Sequence, residues 1–300
     1  MDNNVITATE LLKMELKEIP CLLEGIYPKK GLVALGGSSD TGKSTLARQL
    51  AMSIVSGEKD FMGFKLNVLH NRVLYVSTED DDLATGVVLY NQQSFFGCSN
   101  ESFEKLSFIF ETDNLLQKIE AQLKKAPHDL VVVDAFGDIS KGDINQLNEV
   151  RPFLENFNQL SRKYNCLFLF VHHSGKGAEY KKPSKNNLLG SQGFEGRMRA
   201  VGLLIKDKVD VNKRFLCMVK GNYLKENMKT EGIELVFNDN LTFEATGETL
   251  LFEEMKKDEE KENRNKEAVR LYEQGLTQEQ IAKKLGCSPS TVQRALKGRK

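Results

Sequence analysis

Gly37-Ser38-Ser39-Asp40-Thr41-Gly42-Lys43-Ser44 follows an apolar run, Leu32–Leu35, and precedes a segment of helical period, Lys43–Ser56. The spacing is G-x-x-x-x-G-K-[ST], and its position between a strand and a helix gives the pattern its physical meaning. The two glycines let the backbone curl, so that successive N–H groups and the positive end of the following helix face one anion. Lys43 then offers an ammonium to terminal phosphate oxygens, and Ser44 a hydroxyl to a divalent cation. The expected nucleotide contacts are Gly37, Ser38, Ser39, Asp40, Thr41, Gly42, Lys43, Ser44 and Thr45. Asp40 is expected to face solvent, because a carboxylate turned toward a triphosphate is repelled.

Outward from this stretch, short β-branched or aromatic runs alternate with longer segments of helical period from about Gly31 to Lys220. That alternation predicts βαβ units around a mostly parallel sheet, an α/β fold. Strands are expected at Leu32–Leu35, Val73–Ser77, Leu130–Asp134, Leu167–His172, Ala200–Lys206 and Phe215–Lys220. Most are continuous apolar runs, as strands covered on both faces should be. Helices are expected at Lys43–Ser56, Asn114–Lys125 and Val150–Tyr164, and Ile233–Phe237 with Thr242–Ala245 predicts a hairpin around Asn238-Asp239-Asn240. A second anchor for a metal-bound nucleotide is expected at a strand tip, and Leu130-Val131-Val132-Val133-Asp134 supplies Asp134. Val73–Ser77 ends at Thr78-Glu79-Asp80-Asp81, which sets a carboxylate at the carboxyl edge of the strand expected nearest the loop.

The ordered set, a phosphate loop, the Glu79 strand, the Asp134 strand, then a strand ending in His172-His173-Ser174-Gly175-Lys176, resembles the RecA-type ATPase core. Within it the chain looks most like the plasmid-encoded hexameric helicases of the RepA type, over roughly residues 18 to 246. The resemblance implies ATP and Mg2+ as cofactors, with Ser44 and Asp134 at the metal. It makes Glu79 the general base that orients the attacking water, with Asp80 as the alternative, and makes the paired histidines sensors of the γ-phosphate. Adjacent residues on a strand point to opposite faces, so only one histidine can meet the nucleotide; His172 is preferred. Gly190-Ser191-Gln192-Gly193-Phe194-Glu195-Gly196-Arg197-Met198-Arg199 resembles the family's segment ending in an arginine finger, set at Arg199 with Arg197 as competitor, and Lys220-Gly221-Asn222 resembles its lysine finger. Such fingers act on the neighbouring subunit, which implies a homo-oligomer, a hexameric ring. The segment 174–189 would then face the central channel, where Lys176, Lys181, Lys182 and Lys185 could track single-stranded DNA without reading sequence. Phe136–Asn148 is the other channel candidate, and its charge lends no support.

The whole chain of 300 residues has 42 basic and 42 acidic residues, but the balance hides an asymmetry. Lys266 to Lys300 holds eight Lys or Arg against three Glu, so it carries +5 and the remainder −5. Between the two lies Glu253–Lys266, eleven charged residues in fourteen, expected as a solvated linker or a polar helix with nothing to pack. In the tail, Ala268–Gln274 closes at Gly275, Thr277-Gln278-Glu279-Gln280 forms a capping box, and Ser288-Pro289 opens a third helix. Val292 and Leu296 would face inward, and Ser290, Thr291, Gln293 and Arg294 outward toward a duplex major groove. The layout resembles the helix–turn–helix of site-specific resolvases. The expected organisation is an ATPase domain over residues 1–252, a linker over 253–265 and a DNA-binding domain over 266–300. Hydrophobic content of 40% and charged content of 28% exclude a disordered or collagen-like chain. No apolar run nears the roughly 18 to 20 residues that span a bilayer, the start is polar, and the five cysteines form no C-x-x-C pair. A reduced, cytoplasmic protein is expected.

Overall fold

The computed structural model describes residues 5–97, 100–140, 146–175, 177–178, 181–207, 210–222, 224–255 and 259–296. An N-terminal arm carries a short helix, α1 (Ala8–Leu12), which buries none of its side chains. A small ribbon of β1 (Cys21–Leu23) and β2 (Tyr27–Pro28) leads into β3 (Gly31–Gly37), the phosphate loop and α2 (Lys43–Ser56). A second ribbon, β4 (Asp60–Phe61) with β5 (Phe64–Lys65), precedes β6 (Val73–Ser77), α3 (Asp82–Gln93), α4 (Asn100–Phe103) and β7 (Leu106–Ile109). Then come α5 (Leu115–Lys125), β8 (Leu130–Asp134), α6 (Phe136–Ile139), α7 (Leu147–Tyr164) and β9 (Leu167–His173). The core closes with α8 (Ser191–Arg197), β10 (Ala200–Lys206), β11 (Lys213–Gly221), β12 (Glu231–Phe237) and β13 (Phe243–Leu251). The tail holds α9 (Glu259–Glu273), α10 (Gln278–Lys284) and α11 (Pro289–Ala295).

Among the described residues a nine-stranded sheet runs in the order β13-β12-β11-β10-β3-β9-β8-β6-β7. The strands from β10 to β7 in that order are parallel, and β11, β12 and β13 add an antiparallel edge. Alternation along β3 builds two cores: Val33 and Leu35 meet Leu46, Leu50 and Ile54 of α2, while Leu32 and Ala34 belong with Ile119 of α5 and Leu154 and Phe157 of α7. Helices on both faces explain why Leu130–Val133 are wholly buried and the strands show no polar alternation. The fold is therefore the expected α/β class with a mostly parallel sheet, followed by three helices with their own small core of Ala268, Leu271, Ile281, Ala282, Val292 and Leu296.

Three expectations are corrected. The sequence pattern omits β7 and α3 altogether. The strand beside β3 on the loop side is β9, with β8 next, so the Glu79 strand, β6, stands third from the loop. And Met255 in Glu253–Lys266 does pack, buried with its sulfur 3.5 Å from Cys217 Sγ, while from Glu259 the run is a polar helix, α9, one of the two forms expected.

Candidate functional site

The carboxyl ends of the parallel strands form one edge of the sheet, where open α/β folds place their ligands. β3 delivers the loop there, and two glycines make it possible. A Cβ on Gly37 would lie 2.5 Å from the Leu204 carbonyl oxygen. Gly42, with φ +91°, caps α2, and a Cβ on it would lie 2.7 Å from the Phe243 ring. Lys43 is buried, and its Nζ donates to the Ser38 carbonyl at 2.7 Å, curling the loop back on itself. Burial pushes its ammonium below the ordinary lysine range, offset by the charges of Glu79, Asp134 and Asp40. Asp40 is exposed, as electrostatics requires. Ser38 is part-buried, Ser39 exposed, and Thr41 donates to the Ser38 carbonyl at 3.1 Å; Thr45, one turn into α2, is half-buried.

Ser44 Oγ donates to Asp134 Oδ1 at 3.1 Å, so the two residues expected at the metal meet. The other oxygen, Oδ2, accepts from the Tyr75 hydroxyl at 2.5 Å. Burial raises the Asp134 carboxyl above its usual range, while Tyr75, Ser44 and Arg48 favour the carboxylate. The β6 and β8 tips are tied together: Ser77 pairs with Asp134, and Thr78 Oγ1 donates to Asp138 Oδ2 at 2.6 Å and accepts from the Ala135 N–H at 2.9 Å. A hydroxyl and a carboxylate are the hard oxygen donors magnesium prefers. With a glycine cradle that admits no side chain, these residues fit a nucleotide bound through Mg2+.

Glu79 Oε1 lies 2.9 Å from His173 Nε2, both partly open to solvent. Asp80, the alternative base, is engaged by Arg48 at 2.9 Å. The two histidines face opposite ways, as alternation requires. His172 is buried between the rings of Phe136 and Phe194, its Nε2 is 3.0 Å from the Leu189 carbonyl, and burial lowers its pKa to about 4. His173 is the histidine that reaches the Glu79 edge.

The finger candidates lie at the other edge. Arg199 directly precedes β10, and its N–H donates to Leu32 at the start of β3, at 2.7 Å. Val201 pairs with Lys220 and Ala200 with Gly221, so Arg199 and Lys220 come together. A seven-residue strand at about 3.3 Å per residue puts them about 20 Å from the loop of their own chain. Arg197 is paired with Glu155 at 2.8 Å and Lys220 with Glu195 at 2.9 Å.

The segment after β9 is more anchored than a loop of mobile lysines. Ser174 bridges to Leu188, Gly175 N–H donates to the Asn187 carbonyl, Lys182 pairs with Glu253, and Lys185 Nζ is 3.8 Å from Glu195. Lys181 is exposed, and Lys176 lies outside the described residues. In the tail, Thr277 and Gln280 exchange both capping-box hydrogen bonds, and Ser288 caps α11 with Pro289 at its first turn. Ser290, Gln293 and Arg294 are exposed, Thr291 is half-buried, and Val292 and Leu296 are buried. Residues 297–300 of the basic tail lie outside the described residues.

Sequence reasoning missed Tyr75, Arg48 and Arg214. Arg214, a buried β11 residue, donates from Nε to the Thr41 carbonyl at 3.0 Å and so braces the loop from below. Each could have been found as a polar group in a run that otherwise reads as core, since a buried hydroxyl or guanidinium needs a partner.

The fold and the edge geometry define a P-loop ATPase core with a RecA-like sheet. Residues 5–179 match the family described as AAA domain, and the chain belongs to that family; residues 261–299 match a homeodomain-like domain. Among solved structures, one described as an ATPase domain is similar at 12% identity with a TM-score of 0.58, covering 79% of this chain and 95% of that one. The KaiC-like protein PH0186 from the hyperthermophilic archaeon Pyrococcus horikoshii OT3 is similar at 19% identity with a TM-score of 0.55, covering 75% and 93%. At such identities the likeness is one of fold. No curated protein matches the chain in sequence. Among the described residues no helix is long and apolar enough to cross a membrane.

Proposed function

We propose that this chain is a homo-oligomeric motor on DNA, a helicase or translocase of RepA-like type that hydrolyses ATP between subunits. The observation that carries the reading is the split between edges: the loop, Glu79 and Asp134 gather at one, while Arg199 and Lys220 meet about 20 Å away. Two cations that cannot reach their own site suit a neighbour's. Gly37 to Thr45 bind the phosphates through main-chain N–H groups, Lys43 neutralises the terminal oxygens, and Ser44 with Asp134 hold Mg2+. When bound, that ion screens the phosphate charge during displacement. Glu79, steadied by His173, orients a water and takes its proton. Arg199, and Lys220 once it leaves Glu195, meet the charge that shifts toward the neighbour's γ-phosphate. The ring would be a hexamer, with Lys176, Lys181, Lys182 and Lys185 at single-stranded DNA in its channel. Residues 1–252 would form the motor, 253–265 the connection and 266–300 the module that holds duplex through Ser290, Thr291, Gln293 and Arg294.

The test is magnesium-dependent ATPase activity with and without single-stranded oligonucleotide, together with strand displacement on a forked duplex. A rate indifferent to DNA refutes the motor. The pairing of Lys182 with Glu253 and of Lys185 with Glu195 favours a second reading, an ATP-binding DNA-binding regulator that does not unwind. It predicts ATP-dependent assembly on duplex without strand displacement.

A further inference from the structure

The face that carries Arg199 is hollow. A cavity of about 550 Å3 opens there, lined by apolar side chains such as Ile19 and Leu224 and by Lys29, Lys30, Arg162 and Arg199. Among the described residues no carboxylate lines it. Four cations around apolar walls call for an occupant that is acidic at one end and apolar along its side. The chain displays one such element at its opposite edge. Asp80 is held by Arg48 and Asp81 caps the helix, but Asp82 opens α3, whose Leu83, Val87 and Tyr90 stand at i, i+4 and i+7 on one face. They are 77%, 63% and 74% exposed, and only Thr85 and Gln92 of that helix are buried. A lone exposed leucine means little, whereas an aligned apolar stripe marks a contact surface.

We propose that α3 of one copy seats in the amino-edge cavity of the next copy, Asp82 against the lysines and arginines and its stripe against the apolar walls. The inference rests on the reading of Arg199 as acting in trans, and it supplies the surface that reading lacks. α3 begins three residues after Glu79, and the cavity is lined by Arg199, so the docking brings the finger toward the edge where the phosphates lie. The contact is heterologous: cavity and helix occupy opposite edges of one sheet, so no copy satisfies itself, and the chain adds copies until a ring closes.

Cys21 lines the same cavity, which gives a direct test. The Val87→Cys chain, with ATP and Mg2+ present, is treated with a long-arm bismaleimide. A ladder of covalent oligomers is expected, and Cys21→Ser should abolish it. In parallel, Val87→Asp with Tyr90→Asp should keep its circular dichroism, since both side chains are exposed, yet scatter light as a monomer and lose ATPase at least about tenfold. Arg162→Glu should weaken assembly and Asp82→Lys restore it in the double variant. Absence of the ladder, or normal assembly of the double aspartate variant, overturns the proposal. Mixing Lys43→Ala with Arg199→Ala chains tests the trans reading separately. If the mixture regains turnover while the ladder is absent, the copies meet through another surface. If the mixture stays inactive, the trans reading fails, and the ladder still decides whether α3 and the cavity touch.

Discussion

Asp80→Ala should damage stability and turnover together, through one buried guanidinium. Arg48, on α2, is 4% exposed and reaches Asp80 at 2.9 Å, while its Nε has no hydrogen-bond partner among the described residues. Stripping the carboxylate leaves a buried charge unpaired, a change that costs about 3–5 kcal/mol in a closed interior. Asp80 is 38% exposed, so water can enter beside the guanidinium, and about 2–3 kcal/mol is expected here. For a domain of this size each kcal/mol moves the midpoint by about 2–4 °C, so thermal unfolding should fall by roughly 4–12 °C. Arg48→Met keeps the packed stem and leaves Asp80 beside solvent, a loss of only about 1 kcal/mol. The double variant should resemble Arg48→Met alone, which makes the coupling about 2–3 kcal/mol. Glu79 is the residue next to Asp80, so releasing the latch should also lower kcat by about ten- to a hundredfold with little change in KM. Calorimetry on the four chains and steady-state ATPase assays read both effects. A double variant as unstable as Asp80→Ala, or a kcat untouched in Asp80→Ala, would show that Arg48 does not hold this loop.

His172 titrates near pH 4 in the fold, against about 6.5 when unfolded, so the unfolded chain binds more protons between those values. Stability should therefore fall by about 3 kcal/mol as pH drops from 6.5 to 4, and denaturant titrations of His172→Gln should lose that slope. Gly42→Ala combines a φ of +91° with a Cβ 2.7 Å from the Phe243 ring, so it should cost about 2–4 kcal/mol and weaken nucleotide binding measured by titration calorimetry. Arg294→Ala should lower duplex affinity by about five- to a hundredfold in a shift assay while leaving ATPase without DNA unchanged.

The sheet was legible because its strands are buried on both faces, and continuous apolar runs such as Leu130–Val133 admit few other readings. The phosphate loop was legible because its glycines are fixed by backbone geometry. α3 was not, for a physical reason: Leu83, Val87 and Tyr90 face outward while the polar Thr85 and Gln92 face inward beside Leu89, so the burial does not follow the apolar pattern. β7, only four residues at the sheet edge, carries too short a pattern to separate from loop. The Glu79 strand was placed wrongly in the sheet because strand order follows from crossovers, which local pattern does not encode. The choice between His172 and His173 was no more legible: alternation says that the two face opposite ways, but not which side holds Phe136 and Phe194.

Tyr75, Arg48 and Arg214 belong together. Each rises from an apolar surface, β6, α2 or β11, and spends its polar end on the site above: Asp134, Asp80 and the Thr41 carbonyl. A core built for stability alone would place phenylalanine or methionine at such positions, since apolar replacements of buried charge are often neutral or better. Breaks of local rule are expected where function is held. The three contacts clamp Asp134, the Glu79 turn and the loop backbone to separate layers of the fold. A change in any one of those groups therefore has a rigid lever behind it, the rigidity that the proposed motor would need to convert loss of a phosphate contact into movement of a neighbour.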